Sequence, residues 1–280
     1  MDPDIVGGRH SEAQVIEALE AIPSISMVTP LENLFNSQTG IYVNAGGSGR
    51  NWERPASFEL LNRDGSPGFQ VDGGVRIRGG FSRSGSNPKH AFRLFFRREY
   101  GEGKLRFPLF GDEGVDAFDN IDLRTSQNYS WAFQNDSRNN FLRDVWGRDT
   151  QRDMGQPYTR SRFYHLYING VYWGLFQTQE RAEASFAESY FGGDKEDYDV
   201  ITKYGGTTDG NRDAFNRLYD AGQAGFASNT NYYRAQGMNP DRSTNPSFER
   251  LLDVDNVIDY MIITYYSGDR DGPGSRFTGP

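Results

Sequence analysis

The sequence contains no cysteine, which excludes disulfide bonds, thiol catalysis and cysteine-ligated zinc. Its three histidines, His10, His90 and His165, are far apart and show no His-x-x-x-His spacing, so a histidine-ligated zinc site is not indicated. The sequence has neither the G-x-x-x-x-G-K-[ST] phosphate loop nor the G-x-S-x-G nucleophile motif. P-loop nucleotide hydrolases and the common serine hydrolases are therefore excluded.

Long apolar runs and positive charge are also missing. No stretch approaches the roughly 18 consecutive apolar residues of a transmembrane helix, so we expect no membrane span. The net charge of −8 argues against a nucleic-acid partner, because general nucleic-acid binding needs a basic surface. The N-terminal segment MDPDIVGGRH lacks the pattern of a secretory signal peptide. The composition fits both a cytoplasmic and an exported bacterial protein.

The chain does contain many turn formers and aromatic residues. It has 33 glycines and 12 prolines, and 14% of its residues are aromatic against 36% hydrophobic, so we expect a core built largely from Phe and Tyr. Strand-like segments, including 24–28 and GIYV at 40–43, fill the first half, and helical patterns fill the second half. This order predicts an α+β fold with a β-rich N-terminal part and a helix-rich C-terminal part.

The domain organisation predicted from these patterns is simple. Residues 1–23 form an N-terminal extension, whose short helix begins at a capping box of Ser11 and Gln14. Residues 24–280 form the main domain. Residues 225–246 are polar and rich in Gly and Asn, which predicts a long loop, and the helical pattern that follows predicts Asp255 as an internal cap.

The clearest local signal is the dipeptide Asn169-Gly170 between two aromatic and β-branched runs. This pattern predicts a β-hairpin with a type I′ turn.

The strongest compositional anomaly lies at residues 73–98, which contain no acidic residue. Val75 and Ile77 alternate with basic residues, and a glycine-rich turn separates two predicted strands. The window's cations are Arg76, Arg78, Arg83, Lys89, Arg93, Arg97 and Arg98. A glycine-rich turn with nearby cations is typical of phosphate sites, but a basic sheet edge that resists aggregation has the same composition. The residues alone leave both interpretations open.

Three residues in the sequence are candidates for a chemical role. Lys89 begins a strand after the glycine-rich turn, as the nucleotide-phosphate lysine does in protein kinases. Asp269 and Asp271 follow an apolar helical run, where a carboxylate can accept a proton from a hydroxyl or ligate Mg²⁺. Spacing alone favours a polar helix end for these two aspartates.

Four motifs in order resemble the CotH (spore coat protein H-like) kinase family, over roughly residues 24–280. The segment RSRFYHLYINGVYWGLFQTQERAEASF is similar to the family's central signature, and GVRIRGGFSRSGSNPKHAFRLFF is similar to its basic strand-turn-strand segment. FLRDVWGRDTQRDMG resembles the helix before the hairpin, and VIDYMIITYYSGDRD resembles the later helix that leads to a catalytic aspartate.

The resemblance implies an atypical protein-kinase-like fold. It implies ATP and Mg²⁺ or Mn²⁺ as cofactors, and phosphoryl transfer to Ser or Thr hydroxyls of a protein substrate. It does not indicate which protein is the substrate, nor the oligomeric state.

The resemblance also assigns roles to residues. Lys89 would hold the nucleotide phosphates, and the turn with Arg78, Ser82 and Arg83 would cover them. Glu180, at the end of the hairpin, would lie near the nucleotide or else cap the following helix. Asp271 would be both the catalytic aspartate and a metal ligand. Asp144 is a further candidate, as a salt-bridge partner of Lys89.

The sequence departs from the family after Asp271, where the expected asparagine and the Trp-Asp-x-Asp segment with the second metal-binding aspartate are missing. We therefore expect a C-terminally truncated fragment that is nearly inactive but still binds ATP weakly. A non-catalytic coat or surface module on the same fold is the main alternative, and a carbohydrate-binding surface is a more remote one.

Overall fold

The computed structural model describes residues 5–127, 130, 133, 135–138, 140–202, 205–269 and 272. The chain forms two compact units. The barrel unit comprises Met1–Val145 and Thr159–Arg181, and the helical unit comprises Trp146–Tyr158 and Ala182–Pro280. No helix in the described ranges combines the length and the apolar character needed to cross a membrane.

The predicted mixture of strands and helices is confirmed, with seven of the eleven described strands before residue 125 and five of the seven described α-helices after residue 142. The described strands are β1 Ser24–Val28, β2 Arg54–Leu61, β3 Gln70–Arg78, β4 Ala91–Phe95, β5 Leu105–Arg106, β6 Ala117–Phe118, β7 Asn120–Arg124, β8 Phe163–Ile168, β9 Val171–Gln179, β10 Val200–Ile201 and β11 Thr207–Asp209. The α-helices are α1 Glu12–Glu20, α2 Leu31–Phe35, α3 Arg143–Asp153, α4 Ala184–Phe191, α5 Asp213–Ala224, α6 Asn229–Arg234 and α7 Val254–Ser267. Short 3₁₀ helices lie at Arg50–Trp52, Phe81–Arg83, Gly111–Glu113 and Lys195–Asp197.

Seven of the described strands close a barrel in the order β1-β2-β3-β4-β7-β9-β8. Neighbouring strands are antiparallel except at the closure, where β1 pairs with β8 in parallel. The sheet has no free edge because the last strand pairs with the first. Direct pairing places β3, β4, β7 and β9 side by side, and these strands carry the candidate site.

The barrel interior is the hydrophobic core, and aromatic side chains dominate it as expected. Phe58, Phe92 and Phe176 are at most 1% exposed. The alternation predicted for β3 is confirmed, since Val75 and Ile77 are buried while Arg76 and Arg78 are only half-buried. Every second residue of these strands therefore faces outward, which places a row of basic side chains on the outer surface.

The β8–β9 hairpin has the predicted turn. Asn169 and Gly170 have φ values of 48° and 79°, both in the left-handed region that a type I′ turn requires. The Asn169 amide accepts a hydrogen bond from the Thr29 backbone N–H at 3.0 Å and donates to the Thr29 carbonyl at 2.9 Å. The turn residue thus joins the hairpin to the end of β1, where the barrel closes.

The N-terminal helix α1 begins at the predicted capping box, with both reciprocal hydrogen bonds of Ser11 and Gln14. His165 on β8 fastens this helix to the barrel, because its Nε2 lies 3.0 Å from the carbonyl oxygen of Ala18. Its Nδ1 lies 3.2 Å from the hydroxyl of Tyr172. His165 is therefore a structural residue in the described unit.

Three local predictions are wrong. The segment 40–43 is a turn, not a strand, because the backbone N–H groups of Ile41 and Tyr42 donate to carbonyls at the end of α2. The region 225–246 contains α6 and is not one long loop. Helix α7 is capped by Asp253, whose carboxylate accepts a hydrogen bond from the Asn256 N–H, and Asp255 lies inside the helix.

Candidate functional site

The arginines of the basic window are held by two buried carboxylates that come from outside it. Glu53, whose side chain is 1% exposed, accepts hydrogen bonds from Arg76 at 3.0 Å and from Arg97 at 3.1 Å. Arg50 pairs with the same carboxylate. The Phe95 ring contacts two of these guanidinium groups, with its centroid 3.9 Å from Cζ of Arg76 and 4.7 Å from Cζ of Arg97.

Asp122 on β7 is the second buried carboxylate. Its oxygens lie 2.6 Å from Nε of Arg78 and 2.5 Å from Nε of Arg93. Burial alone would raise the pKa of Asp122, but the two guanidinium groups outweigh burial and hold the pKa below its usual value. Arg76 and Arg93 are directly opposite on β3 and β4, where two like charges repel each other, so the two carboxylates stabilise this pairing.

These ion pairs change the interpretation of the basic window. The window has no acid in its own sequence, but Glu53 and Asp122 pair with four of its arginines, Arg76, Arg78, Arg93 and Arg97. The two carboxylates offset two of these four positive charges and hold the guanidinium groups at the surface of the barrel. Arg78 pairs with Asp122 at 2.6 Å. Its predicted role in covering the nucleotide phosphates stays a prediction.

Lys89 differs from these arginines. Within the described residues no carboxylate lies within ion-pair distance of its ammonium group. The ammonium lies 5.2 Å from the centroid of the Phe176 ring, and burial lowers its pKa below that of an ordinary lysine. The proposed pairing with Asp144 is wrong, because Asp144 pairs with Arg124 at 2.6 Å.

The end of the Lys89 side chain lies against the backbone of Gly174 on β9. A side-chain carbon at Gly174 would come within 3.2 Å of Cε of Lys89 and would overlap its ammonium nitrogen. Gly174 has a φ of 129° and follows a bulge at Trp173, where the register of β8 and β9 shifts. The bulge and the missing side chain together form the space that we call the Gly174 recess.

The turn before Lys89 is held from several sides. The Tyr42 hydroxyl donates to the Pro88 carbonyl at 2.9 Å, and its ring packs edge-on against Trp173 at 5.3 Å. The carbonyl oxygen of Ser82 lies 3.0 Å from Nδ1 of His90. Burial lowers the pKa of His90, which favours a neutral ring with Nδ1–H as the donor. The turn is thus ordered in this structure.

Two other polar side chains of this turn have unmet hydrogen-bonding capacity. Nη1 of Arg83 donates to the Gly47 carbonyl at 3.3 Å, but its Nε is buried without a partner in the described part of the chain. Asn87 is 1% exposed, and neither its amide nitrogen nor its amide oxygen has a partner there. Buried groups of this kind usually cost about 1–3 kcal/mol each. Arg83 and Asn87 therefore carry buried donors that have no partner in the described residues of the turn before Lys89.

The remaining predicted site residues are less informative. Glu180 is 3% exposed, and its carboxylate accepts hydrogen bonds from the Arg160 backbone N–H at 2.8 Å and from the Arg160 guanidinium at 3.2 Å. It does not cap α4, because Glu183 is the residue at that N-cap. Its role toward a nucleotide stays a prediction. Ser82 lies in the 3₁₀ turn Phe81–Arg83, close to Gly79.

Asp271 lies outside the described residues, so its predicted catalytic and metal-binding roles stay predictions. Asp269 is exposed, and its backbone N–H donates to the Thr264 carbonyl at 3.0 Å, next to Gly268 in the left-handed conformation at the end of α7. Across the described ranges, no group of three or more His, Asp or Glu side chains is arranged to hold a metal ion.

Comparison with protein families agrees with the motifs, while the atypical kinase-like fold stays a prediction. The family model described as CotH kinase protein matches residues 75–276, which include the end of β3, the turn at Lys89, the β8–β9 hairpin and α7. The chain belongs to the CotH kinase family. Family membership indicates a kinase-like function. No curated protein matches the chain.

Sequence reasoning found Lys89 in this CotH kinase family member but missed the residues that define its surroundings. Asp122 had a detectable signal, since it is an acidic residue in a strand whose neighbours are apolar. Gly174 lies inside a predicted strand, where glycine often marks a bulge or a close approach of backbone. Glu53 and Asn87 carried no such signal, because nothing local distinguishes a buried polar residue in a loop from an exposed one.

Proposed function

We propose that this chain binds ATP through the turn at Lys89 and that it acts in phosphoryl transfer to Ser or Thr hydroxyls of proteins. Family membership supports a kinase-like function, and the environment of Lys89 supports the nucleotide-phosphate role. The single observation that carries the proposal is an ammonium group that is largely removed from water and has no carboxylate partner in the described residues. A protein retains such a charge at a cost, which a phosphate ligand would offset.

The chemistry of the turn fits a polyphosphate. Lys89 supplies a positive charge, and the unmet donors of Arg83 and Asn87 supply hydrogen bonds to phosphate oxygens. ATP would supply the phosphoryl group, and the ammonium of Lys89 would stabilise negative charge on the phosphate oxygens. Asp271 is the proposed acceptor of the proton from the substrate hydroxyl.

A divalent metal ion is the second cofactor of the proposed activity. Kinases use Mg²⁺ or Mn²⁺ held by carboxylates, and the described residues contain no cluster of such ligands. Asp271 is the proposed metal ligand, and a metal ion held there would offset negative charge on the phosphates.

Isothermal titration calorimetry with ATP tests the phosphate role of Lys89. Lys89→Met keeps the length of the side chain and removes its charge, and we expect it to weaken ATP binding about tenfold or more, as loss of a charged hydrogen bond does. Lys195→Met is the matched control, because the Lys195 side chain is 58% exposed and lies in the helical unit. The ATP affinity of Lys195→Met should equal that of the unchanged chain within about twofold.

Two results would count against the proposal. If Lys89→Met binds ATP as tightly as the unchanged chain, Lys89 does not hold the phosphates. If the unchanged chain does not bind ATP, with or without Mg²⁺, the non-catalytic coat or surface module becomes the better account.

A further inference from the structure

We propose that Gly174 is a positioning residue for Lys89, because its missing side chain creates the recess in which the lysine ammonium lies. This inference rests on the phosphate-binding role proposed above for Lys89 and deepens it. Neither the family motif nor the sequence pattern assigns Gly174 a function. The evidence for this role is the contact between Gly174 and Lys89, which are far apart in the chain.

With Lys89 in its present position, a side chain at Gly174 would overlap the lysine tip. A carbon added at Gly174 overlaps the ammonium nitrogen of Lys89 and approaches Cε to 3.2 Å. Apart from the two chain neighbours of Gly174, no other described residue lies within 4 Å of that added carbon, so among the described residues the lysine tip occupies the recess. Because a lysine tip is flexible, a methyl group at Gly174 would displace the ammonium without rebuilding the barrel.

The bulge in β9 gives the recess its shape. Leu166 pairs with Gly174, while Tyr167 pairs with Tyr172, so Trp173 is the additional residue. The φ of 129° at Gly174 belongs to a region that glycine adopts readily and other residues rarely adopt. A bulge of this kind redirects side chains near functional sites, and here it turns the β9 backbone toward Lys89.

The recess fixes two properties of Lys89. It defines where the positive charge lies relative to the turn, and it removes the ammonium from water beside the Phe176 ring. In the Gly174→Ala variant, the displaced ammonium would lie in water. Phosphate oxygens that the turn holds would then be too far from the charge, so affinity would fall although Lys89 is still present.

The test is a double-mutant cycle on ATP binding with the variants Gly174→Ala, Lys89→Ala and the combination. Gly170→Ala is the matched control, because Gly170 also has a positive φ, of 79°, in the same hairpin, but has open space around it. We expect Gly174→Ala to weaken ATP binding about tenfold or more, and to have no further effect once Lys89 is alanine. Gly170→Ala should stay within about twofold of the unchanged chain.

A second measurement reports on the lysine itself. NMR titration of the Lys89 Cε and Hε signals, assigned with the Lys89→Ala variant, should give a pKa that rises toward the ordinary lysine value in Gly174→Ala and does not change in Gly170→Ala. In the unchanged chain, nuclear Overhauser contacts should join the Lys89 Hε protons to the Gly174 Hα protons. This contact can be measured even if Gly174→Ala does not fold.

The outcomes separate this inference from the proposed function. If Lys89→Ala weakens ATP binding but Gly174→Ala behaves like Gly170→Ala, Gly174 has no positioning role. The same conclusion follows if Gly174→Ala weakens binding equally in both Lys89 backgrounds, or if the Lys89–Gly174 contact is absent. If Lys89→Ala leaves ATP binding unchanged, the phosphate role fails, and the NMR titration alone decides whether Gly174 positions the ammonium.

Discussion

The ammonium nitrogen of Lys89 lies 5.2 Å from the centroid of the Phe176 ring, which belongs to β9 of the closed barrel. The attraction between a cation and an aromatic face contributes about 0.5–2 kcal/mol, which is less than the cost of removing an ammonium group from water. The lowered pKa of Lys89 agrees with this balance, since burial is its cause. The free protein thus holds a charge that a bound anion would stabilise.

Polyphosphate binding should depend on pH in a way that reports Lys89. Its pKa is lowered in the folded protein. The ammonium therefore loses its proton at a lower pH than an ordinary lysine, whose pKa is about 10.4. Since only the protonated form attracts phosphate, affinity for tripolyphosphate should fall as the pH rises through this lowered pKa. In Lys89→Arg the guanidinium stays protonated, and the alkaline fall in affinity should disappear. Identical pH profiles for the two proteins would contradict the assignment.

Asp122→Asn should be strongly destabilising. The substitution removes the buried carboxylate that pairs with Arg78 and Arg93, and breaking a buried ion pair in this way costs about 3–5 kcal/mol. Asp119→Asn is the control, because its pairing with Lys104 at 3.3 Å is exposed and contributes less than about 1 kcal/mol. Urea unfolding of both variants at pH 7 measures the two costs, and equal costs would refute the structural role of Asp122.

The destabilisation caused by Asp122→Asn should depend on pH, because the pKa of Asp122 is lowered in the folded protein. A carboxylate with a depressed folded pKa stabilises the fold fully above its unfolded pKa of about 3.9, and this stabilisation is lost as the pH falls through the folded value. The difference in unfolding free energy between the unchanged chain and Asp122→Asn should therefore shrink in acid. A difference that is constant from pH 7 to pH 2 would contradict this account.

Asn87→Leu should not destabilise the free protein. The Asn87 amide is buried and has no partner in the described residues, and replacing an unsatisfied buried amide with an apolar group of similar size is nearly neutral or stabilising. Asn44→Leu provides the contrast, since the Asn44 amide donates to the Gly40 carbonyl at 2.9 Å. If the Asn87 amide contacts phosphate, Asn87→Leu should also weaken ATP binding. Thermal unfolding and calorimetry measure both effects, and equal destabilisation by the two substitutions would show that the Asn87 amide is satisfied.

Tyr42→Phe should loosen the turn before Lys89. The variant removes the hydrogen bond from the Tyr42 hydroxyl to the Pro88 carbonyl, at a cost of about 1 kcal/mol, and leaves the ring packed against Trp173. Tyr219→Phe is the control, because Tyr219 is 57% exposed. Thermal unfolding should separate the two variants, and amide hydrogen exchange should increase in residues 79–90 only in Tyr42→Phe. Unchanged exchange there would exclude Tyr42 as a support of the turn.

Local sequence patterns predicted much of the barrel because strand signals are short-range. The alternation at Val75 and Ile77 and the Asn169-Gly170 turn depend on neighbours within a few residues, and both are confirmed. The segment GIYV was misassigned because its residues favour strands, yet burial of Ile41 at 2% exposure is achieved from a turn against α2. Tertiary packing overrode a β-propensity that is itself weak.

The sequence by itself determined which residues bear charge, which strands alternate and to which family the chain is similar, since each of these depends on residue type and spacing. Only the tertiary structure decided which charges are paired. Glu53 and Asp122 pair with the arginines of β3 and β4, whereas Lys89 contacts Gly174 on β9 and meets no carboxylate among the described residues. The physical reason is strand pairing in the barrel, which sets residues far apart in sequence next to each other, where burial and distance fix their electrostatics.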